Sequence, residues 1–263
     1  MTASHALSQL SYIPVGWCVD NYSRSQGLRK HFFFVDWAPM SKHPLSPGKT
    51  RAVVATCAVA VAVAAWVLWP LAFGPDPTPA RGLPESAFVD GDAPAGDRDG
   101  DGVPDPEDIV ASARAYTATR PRYGNAYYEG GPPTDGCGVC TDLLAAALEG
   151  AGWDLQSLVD EDVRSDPDAY GVGEPDRAID YRRVRNVAVY LGRHAASLTL
   201  DPRDAAAWRA GDIAVFTDHV AVVADIRDKD GVPYLIHHEG PLQRSFEEDV
   251  LTFRTDLVGH FRL

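Results

Sequence analysis

The sequence predicts an α+β domain, a helix packed on an antiparallel sheet, preceded by one transmembrane helix. Three observations predict it. Residues 52–73 are a long apolar run, residues 141–151 place leucine and alanine at helical spacing, and the last third of the chain holds three short β-rich segments between Asp/Gly turns.

The run 52–73, AVVATCAVAVAVAAWVLWPLAF, carries no charge over 22 residues. Roughly 20 residues at about 1.5 Å rise cover the hydrocarbon of a bilayer, and buried core helices seldom run so far without polar interruption. A cleaved leader would have a shorter apolar region and a small-residue site behind it; Gly74 and Pro75 follow here, so an uncleaved anchor is expected. Lys42, Lys49 and Arg51 lie just before the run, and Trp66 and Trp69 lie near its far end. The positive-inside rule then puts residues 1–51 in the cytoplasm and the C-terminal domain outside, in a single-pass protein of the cell membrane. Met40, just ahead of the basic stretch, is a candidate true start.

Charge is divided in the same way. Residues 1–73 hold six Lys/Arg against two acids, while the whole 263-residue chain carries a net charge of −13. An acidic domain repels a phosphate backbone, so nucleic acid is excluded as a partner. Four cysteines, Cys18, Cys57, Cys137 and Cys140, are too few to scaffold a chain this long, which must be held by a core. Prolines among small and acidic residues mark 74–96 as a linker.

Residues 97–108 read as a calcium loop. Asp97, Asp99, Asp101 and Asp105 occupy positions 1, 3, 5 and 9 of an EF-hand order, Gly102 is at 6, Val103 offers its carbonyl at 7, and Asp108 stands at 12. Asp108 is shorter than the usual Glu, and Pro94 and Gly96 deny the loop a preceding helix, so a structural Ca2+ half-site competes with a solvated acidic turn capping a helix at 109–116.

The compact domain is expected over 109–263. In 141–151, Leu143, Leu144, Ala147 and Leu148 share a face, and Gly150 and Gly152 stop the helix. The loop before it, GGPPTDGCGVC, delivers Cys140 to the first helical turn, where the helix dipole favours thiolate. Strands are predicted at 211–216, 219–226 and 232–238. His219 opens the second, and His237 and His238, being consecutive, must point to opposite faces of the third. A cysteine at a helix start, a histidine at a strand start and a polar group on the next strand form the general triad of nucleophilic catalysis. Asp142 is expected to complement the helix dipole, Trp153 and Tyr170 to pack in the core, with lining of a peptide groove as the alternative, and His194 and His260 to be solvated or core histidines.

At these residues the chain resembles the NlpC-like, papain-fold cysteine peptidases that cut bacterial cell-wall peptides. More narrowly, it resembles the bacterial domain-of-unknown-function family 1287 through GVCTD (138–142), GWDLQSLVDEDV (152–163), EPDRAIDYRRVRN (174–186), GDI (211–213), HVAVVAD (219–225), LIHHEG (235–240) and GHFR (259–262). The resemblance implies a papain-like fold, with Cys140 as nucleophile, His219 as base and His237 orienting it. It also makes Asp180, Arg182, Arg183 and His238 candidates for binding substrate, with buried Arg–carboxylate pairing as the alternative for the arginines. The implied activity is an extracytoplasmic cysteine peptidase or amidase acting on peptidoglycan peptide, with no cofactor for catalysis.

Other readings of the same residues stay open. Cys137 and Cys140 form C-G-V-C, which outside the cytoplasm can close into a disulfide, and then serve redox chemistry or merely lock a calcium-stabilised, non-catalytic wall-binding module. Zinc held by the two cysteines and two histidines is a third reading.

Overall fold

The computed structural model describes residues 47–91 and 96–263. The segment before Pro47, with the candidate start Met40, and linker residues 92–95 lie outside the described residues.

The first element, α1, spans Pro47–Phe73, and its described side chains run from Val54 to Pro70. Among the described residues no helix is long and apolar enough to cross a membrane. Its side chains from Val54 to Trp69 are exposed on every side of the helix.

The rest is a mixed α+β structure. Next along the chain are β1 (Leu83–Pro84), α2 (Asp105–Ala118), β2 (Arg122–Tyr123), β3 (Cys137–Gly138), α3 (Cys140–Glu149), α4 (Leu155–Ser165) and α5 (Pro167–Tyr170). A 3-10 turn, Asp180–Arg182, leads into α6 (Val184–His194), and strands β4 (Ala196–Ser197), β5 (Ile213–Phe216), β6 (Val220–Arg227), β7 (Pro233–Ile236), β8 (Glu247–Glu248) and β9 (Leu257–Arg262) follow.

Seven of the strands form one antiparallel sheet in the order β4-β9-β5-β6-β7-β8, with β1 added along β6, and β2 and β3 pair separately as a parallel two-stranded ribbon. Both faces of β5, and of β6 from Val220 to Ala224, are buried. Ile213, Val215, Val220 and Val222 face the helices, and Ala214, Phe216, Ala221 and Val223 face a second cluster around Trp208. This two-sided burial explains why β6 reads as a nearly continuous apolar run.

Helix α3 is the core of the helical layer. Leu143, Leu144, Ala147 and Leu148 are at most 1% exposed, so each leucine contributes roughly 2 kcal/mol of burial. The predicted span 141–151 slides to 140–149, because Gly150 caps the helix and Gly152, at φ +81°, turns the chain so that Trp153 N–H reaches the Leu148 carbonyl. Helix α2 begins four residues before the predicted 109, since Pro106 in its first turn and the acids Asp105, Glu107 and Asp108 suit a helix N-terminus.

Candidate functional site

Cys140 is the first residue of α3, and 8% of it is exposed. Gly138 sets the approach: a Cβ there would lie 2.1 Å from the Tyr116 hydroxyl, so only glycine lets the loop pass α2. The backbone N–H groups of Val220 and Thr141 lie near enough to the Cys140 sulfur to favour its charged form. The sulfur therefore lies against the residue that follows His219. Among the described residues no hydrogen bond joins the sulfur to a histidine ring.

The dipole is outweighed at this thiol. Burial pushes Cys140 up to about 11, and the backbone N–H groups only partly oppose it. The disulfide expectation is overturned. Cys140 is a free thiol, as is Cys57, whereas Cys137 is disulfide-bonded. Cys137 sits in β3 beside Arg122, and Cys140 has turned into the helix against β6, so the two side chains serve different contacts.

His219 and His237 meet. His219 Nε2 and His237 Nδ1 are 3.0 Å apart, and the rings pack edge to face at 5.1 Å. Burial holds His219 down to about 3 and His237 well below its ordinary value, with the Arg254 charge acting in the same direction. Both rings are neutral at pH 7. His238 diverges from His237 as strand alternation requires: its Nδ1 is 3.4 Å from the Tyr116 hydroxyl, and its ring packs edge-on to Tyr123 and Phe246. Among the described residues its buried Nε2 has no hydrogen-bond partner, and burial holds the ring down to about 3. Gln243 closes the cluster on the other side, with Nε2 3.2 Å from His237 Nε2 and 3.1 Å from the His237 carbonyl.

The arginine candidates are committed internally. Arg182 grips Asp142 through Nε and Nη2 at 2.8 and 2.9 Å, donates Nη1 to the Ala126 carbonyl and stacks over Tyr128. Asp142 also accepts the Val139 N–H, capping α3. Asp180 is buried, accepting from Asp176 N–H and Arg183 Nη1, and bridges the 3-10 turn to Asn186. These residues pin the helices around Cys140 and leave Arg182 little capacity for a substrate carboxylate. A cavity of about 380 Å³ lies on the flank of α3, lined by Tyr116, Cys137, Asp142, Trp153 and Tyr181 among others. None of Cys140, His219 and His237 lines it.

His260, read in isolation as a lone histidine, belongs to a buried network. Its Nε2 and the Arg262 guanidinium both bind Asp212, its Nδ1 binds the Thr199 carbonyl, and its ring stacks on Trp208 at 3.6 Å. The GDI and GHFR segments thus meet across β5 and β9.

In the acidic loop, Asp97, Asp99 and Asp101 bring carboxylate oxygens within 4.8 Å of one another. Asp97 accepts Gly100 and Gly102 N–H, Asp99 accepts Asp101 N–H, and Asp101 accepts Val103 N–H. Asp105 turns back to Arg98 N–H and does not join them. Among the described residues one buried oxygen of Asp108 has no partner, and burial followed by its acidic neighbours raises its pKa.

The comparisons with known proteins follow this geometry. The family described as a domain of unknown function (DUF1287) matches residues 110–263, which include Cys140 and all three clustered histidines. The uncharacterized protein YijF of Escherichia coli (strain K12) is 36% identical over 153 residues, covering 54% of this chain and 72% of the relative. No solved structure matches the chain. The chain belongs to the DUF1287 family.

Proposed function

We propose that this chain is a membrane-anchored, extracytoplasmic cysteine hydrolase of papain-like, NlpC-like architecture that cleaves an amide in cell-wall peptide. The observation that carries the reading is the His219–His237 contact at 3.0 Å beside a free cysteine that opens a helix and lies against Val220. With His219 Nε2 engaged by His237, Nδ1 is the ring nitrogen left to exchange protons with Cys140. The sulfur attacks the amide carbon as its proton passes to His219. The C–N bond then breaks as His219 returns that proton to the leaving amine. Water hydrolyses the thioester, releasing carboxylic acid and restoring the thiol. Because the resting thiol and imidazole are both neutral, the proton moves during attack rather than before it.

The anchor would be the 22-residue apolar run 52–73 within α1, whose described side chains from Val54 to Trp69 are exposed. Asp97, Asp99 and Asp101 would hold a structural Ca2+, and Asp105, Asp108 and the Val103 carbonyl would have to turn toward it to complete the loop. The burial of Cys140 favours a second reading, a non-catalytic wall-binding module on the same scaffold.

The test is incubation of the full chain with wall-derived peptides, with mass spectrometry for new amine and carboxylate termini and for a thioester adduct at Cys140. Turnover lost in Cys140→Ser and His219→Ala supports the hydrolase. Folded protein that binds wall peptides without cleaving any would establish the module instead.

A further inference from the structure

We infer that Gln243 is a positioning residue that sets the tautomer of the His219–His237 pair, so that His219 offers Cys140 an N–H rather than a lone pair at rest. The inference rests on the proposed thiol chemistry for its consequence, but its geometry stands alone.

The orientation of the Gln243 carboxamide is unambiguous. Its Oε1 lies 2.7 Å from the Glu239 backbone N–H, which can only donate, and its Nε2 lies 3.1 Å from the His237 carbonyl, which can only accept. The second hydrogen on Nε2 points to His237 Nε2 at 3.2 Å, which must then carry a lone pair. A neutral imidazole has one N–H, so the proton of His237 is on Nδ1. That proton points at His219 Nε2, 3.0 Å away, which must accept it. The proton of His219 is therefore on Nδ1.

The surroundings keep both rings neutral. Arg254 is the nearby cation, held by Asp218, Glu239 and Asp256, and His238 is another titratable group facing the pair. The Asp256 carboxylate favours charge on His219, but burial outweighs it. In this form His219 cannot take the Cys140 proton at Nδ1. Transfer requires inversion, with the proton of His237 moved to Nε2, so that His237 Nδ1 accepts from His219 Nε2–H. Inversion puts His237 Nε2–H against the Gln243 amide hydrogens, so the carboxamide must turn or withdraw first. Gln243 is a latch on the pair.

The test reads tautomers directly. In the full chain labelled with 15N-histidine, two-bond 15N–1H correlation spectra at pH 7 should show protonated Nδ1 and bare Nε2 for both His219 and His237. Gln243→Glu places an acceptor where the amide donor stood, and both tautomers should invert. Alkylation of Cys140 by iodoacetamide should then rise about tenfold at the same pH, as a base becomes available. His237 protonated on Nε2 in the unmodified protein, or unchanged tautomers in Gln243→Glu, would overturn the inference. Inverted tautomers with unchanged alkylation would uphold Gln243 as the latch and instead refute the thiol chemistry. Should Gln243→Glu not fold, the spectrum of the unmodified protein decides alone.

Discussion

Replacing Arg182 by methionine isolates one buried charge. The Arg182–Asp142 side chains are 2% and 4% exposed, so the substitution removes two charge-assisted hydrogen bonds and a third to Ala126 while leaving a carboxylate sealed inside. Breaking a buried pair this way costs about 3–5 kcal/mol. With a urea m-value of about 2 kcal/mol/M, the unfolding midpoint should fall by about 1.5–2.5 M. The pH dependence has a definite sign. Burial already raises Asp142 despite Arg182, and without the arginine it rises further. A carboxyl raised in the folded state binds more protons folded than unfolded, so stability drops as pH rises through that range and returns as pH falls. The deficit of Arg182→Met should therefore shrink between pH 7 and pH 5. The double variant Arg182→Met/Asp142→Leu should recover all but about 1–2 kcal/mol, the residue being the lost cap on Val139. Urea melts at the two pH values make the measurement. A single-variant loss under about 1 kcal/mol, or a double variant no better than the single, would refute the reasoning.

The buried histidines make stability fall in acid. His238, held down to about 3 in the fold against about 6.5 in an unfolded chain, binds its proton only on unfolding, which costs about 2 kcal/mol at pH 5. His238→Phe should recover that amount at pH 5 relative to pH 8, and equal effects at both would count against it. With its thiol pushed up to about 11, Cys140 should alkylate at a rate that climbs steadily with pH, and a plateau between pH 6 and pH 8 would contradict the burial argument. Calcium at about 100 times Kd should stabilise the chain by about 2.7 kcal/mol, seen as a rise in Tm that Asp97→Ala and Asp99→Ala abolish; no rise would remove the Ca2+ proposal. Protease added outside intact cells should remove the acidic domain if α1 is the anchor, and full protection would refute the proposed topology.

The sheet and its central helix were legible because their residues obey one local rule each. Helical spacing exposes the leucines of α3, and Asp/Gly turns bracket β5, β6 and β7. Helix α6 was not, since VRNVAVYLGRH mixes β-branched residues with a glycine, and only its packing under Tyr190 and Leu191 decides for helix. Strand β9 was equally hidden. It exists because His260 and Arg262 bind Asp212 on the neighbouring chain turn, 48 and 50 residues away. No window along the sequence contains that pairing.

At the site, residue types were legible and protonation states were not. Spacing alone puts a cysteine at a helix start and histidines at strand ends. The charge each group carries depends on what covers it. The dipole at the start of α3 does favour thiolate, through the backbone N–H groups that reach the sulfur, yet removal from water costs more, and the thiol stays protonated. The same comparison leaves His219 and His237 neutral, and it is neutrality that makes the tautomer matter: an imidazolium would donate from both nitrogens, whereas a neutral ring must choose. The choice is made by Gln243, in a loop with no motif of its own, because Glu239 N–H and the His237 carbonyl fix which end of its amide is the donor. The proposed chemistry at Cys140 would thus be governed less by the residues that perform it than by a side chain that reaches it through two histidines.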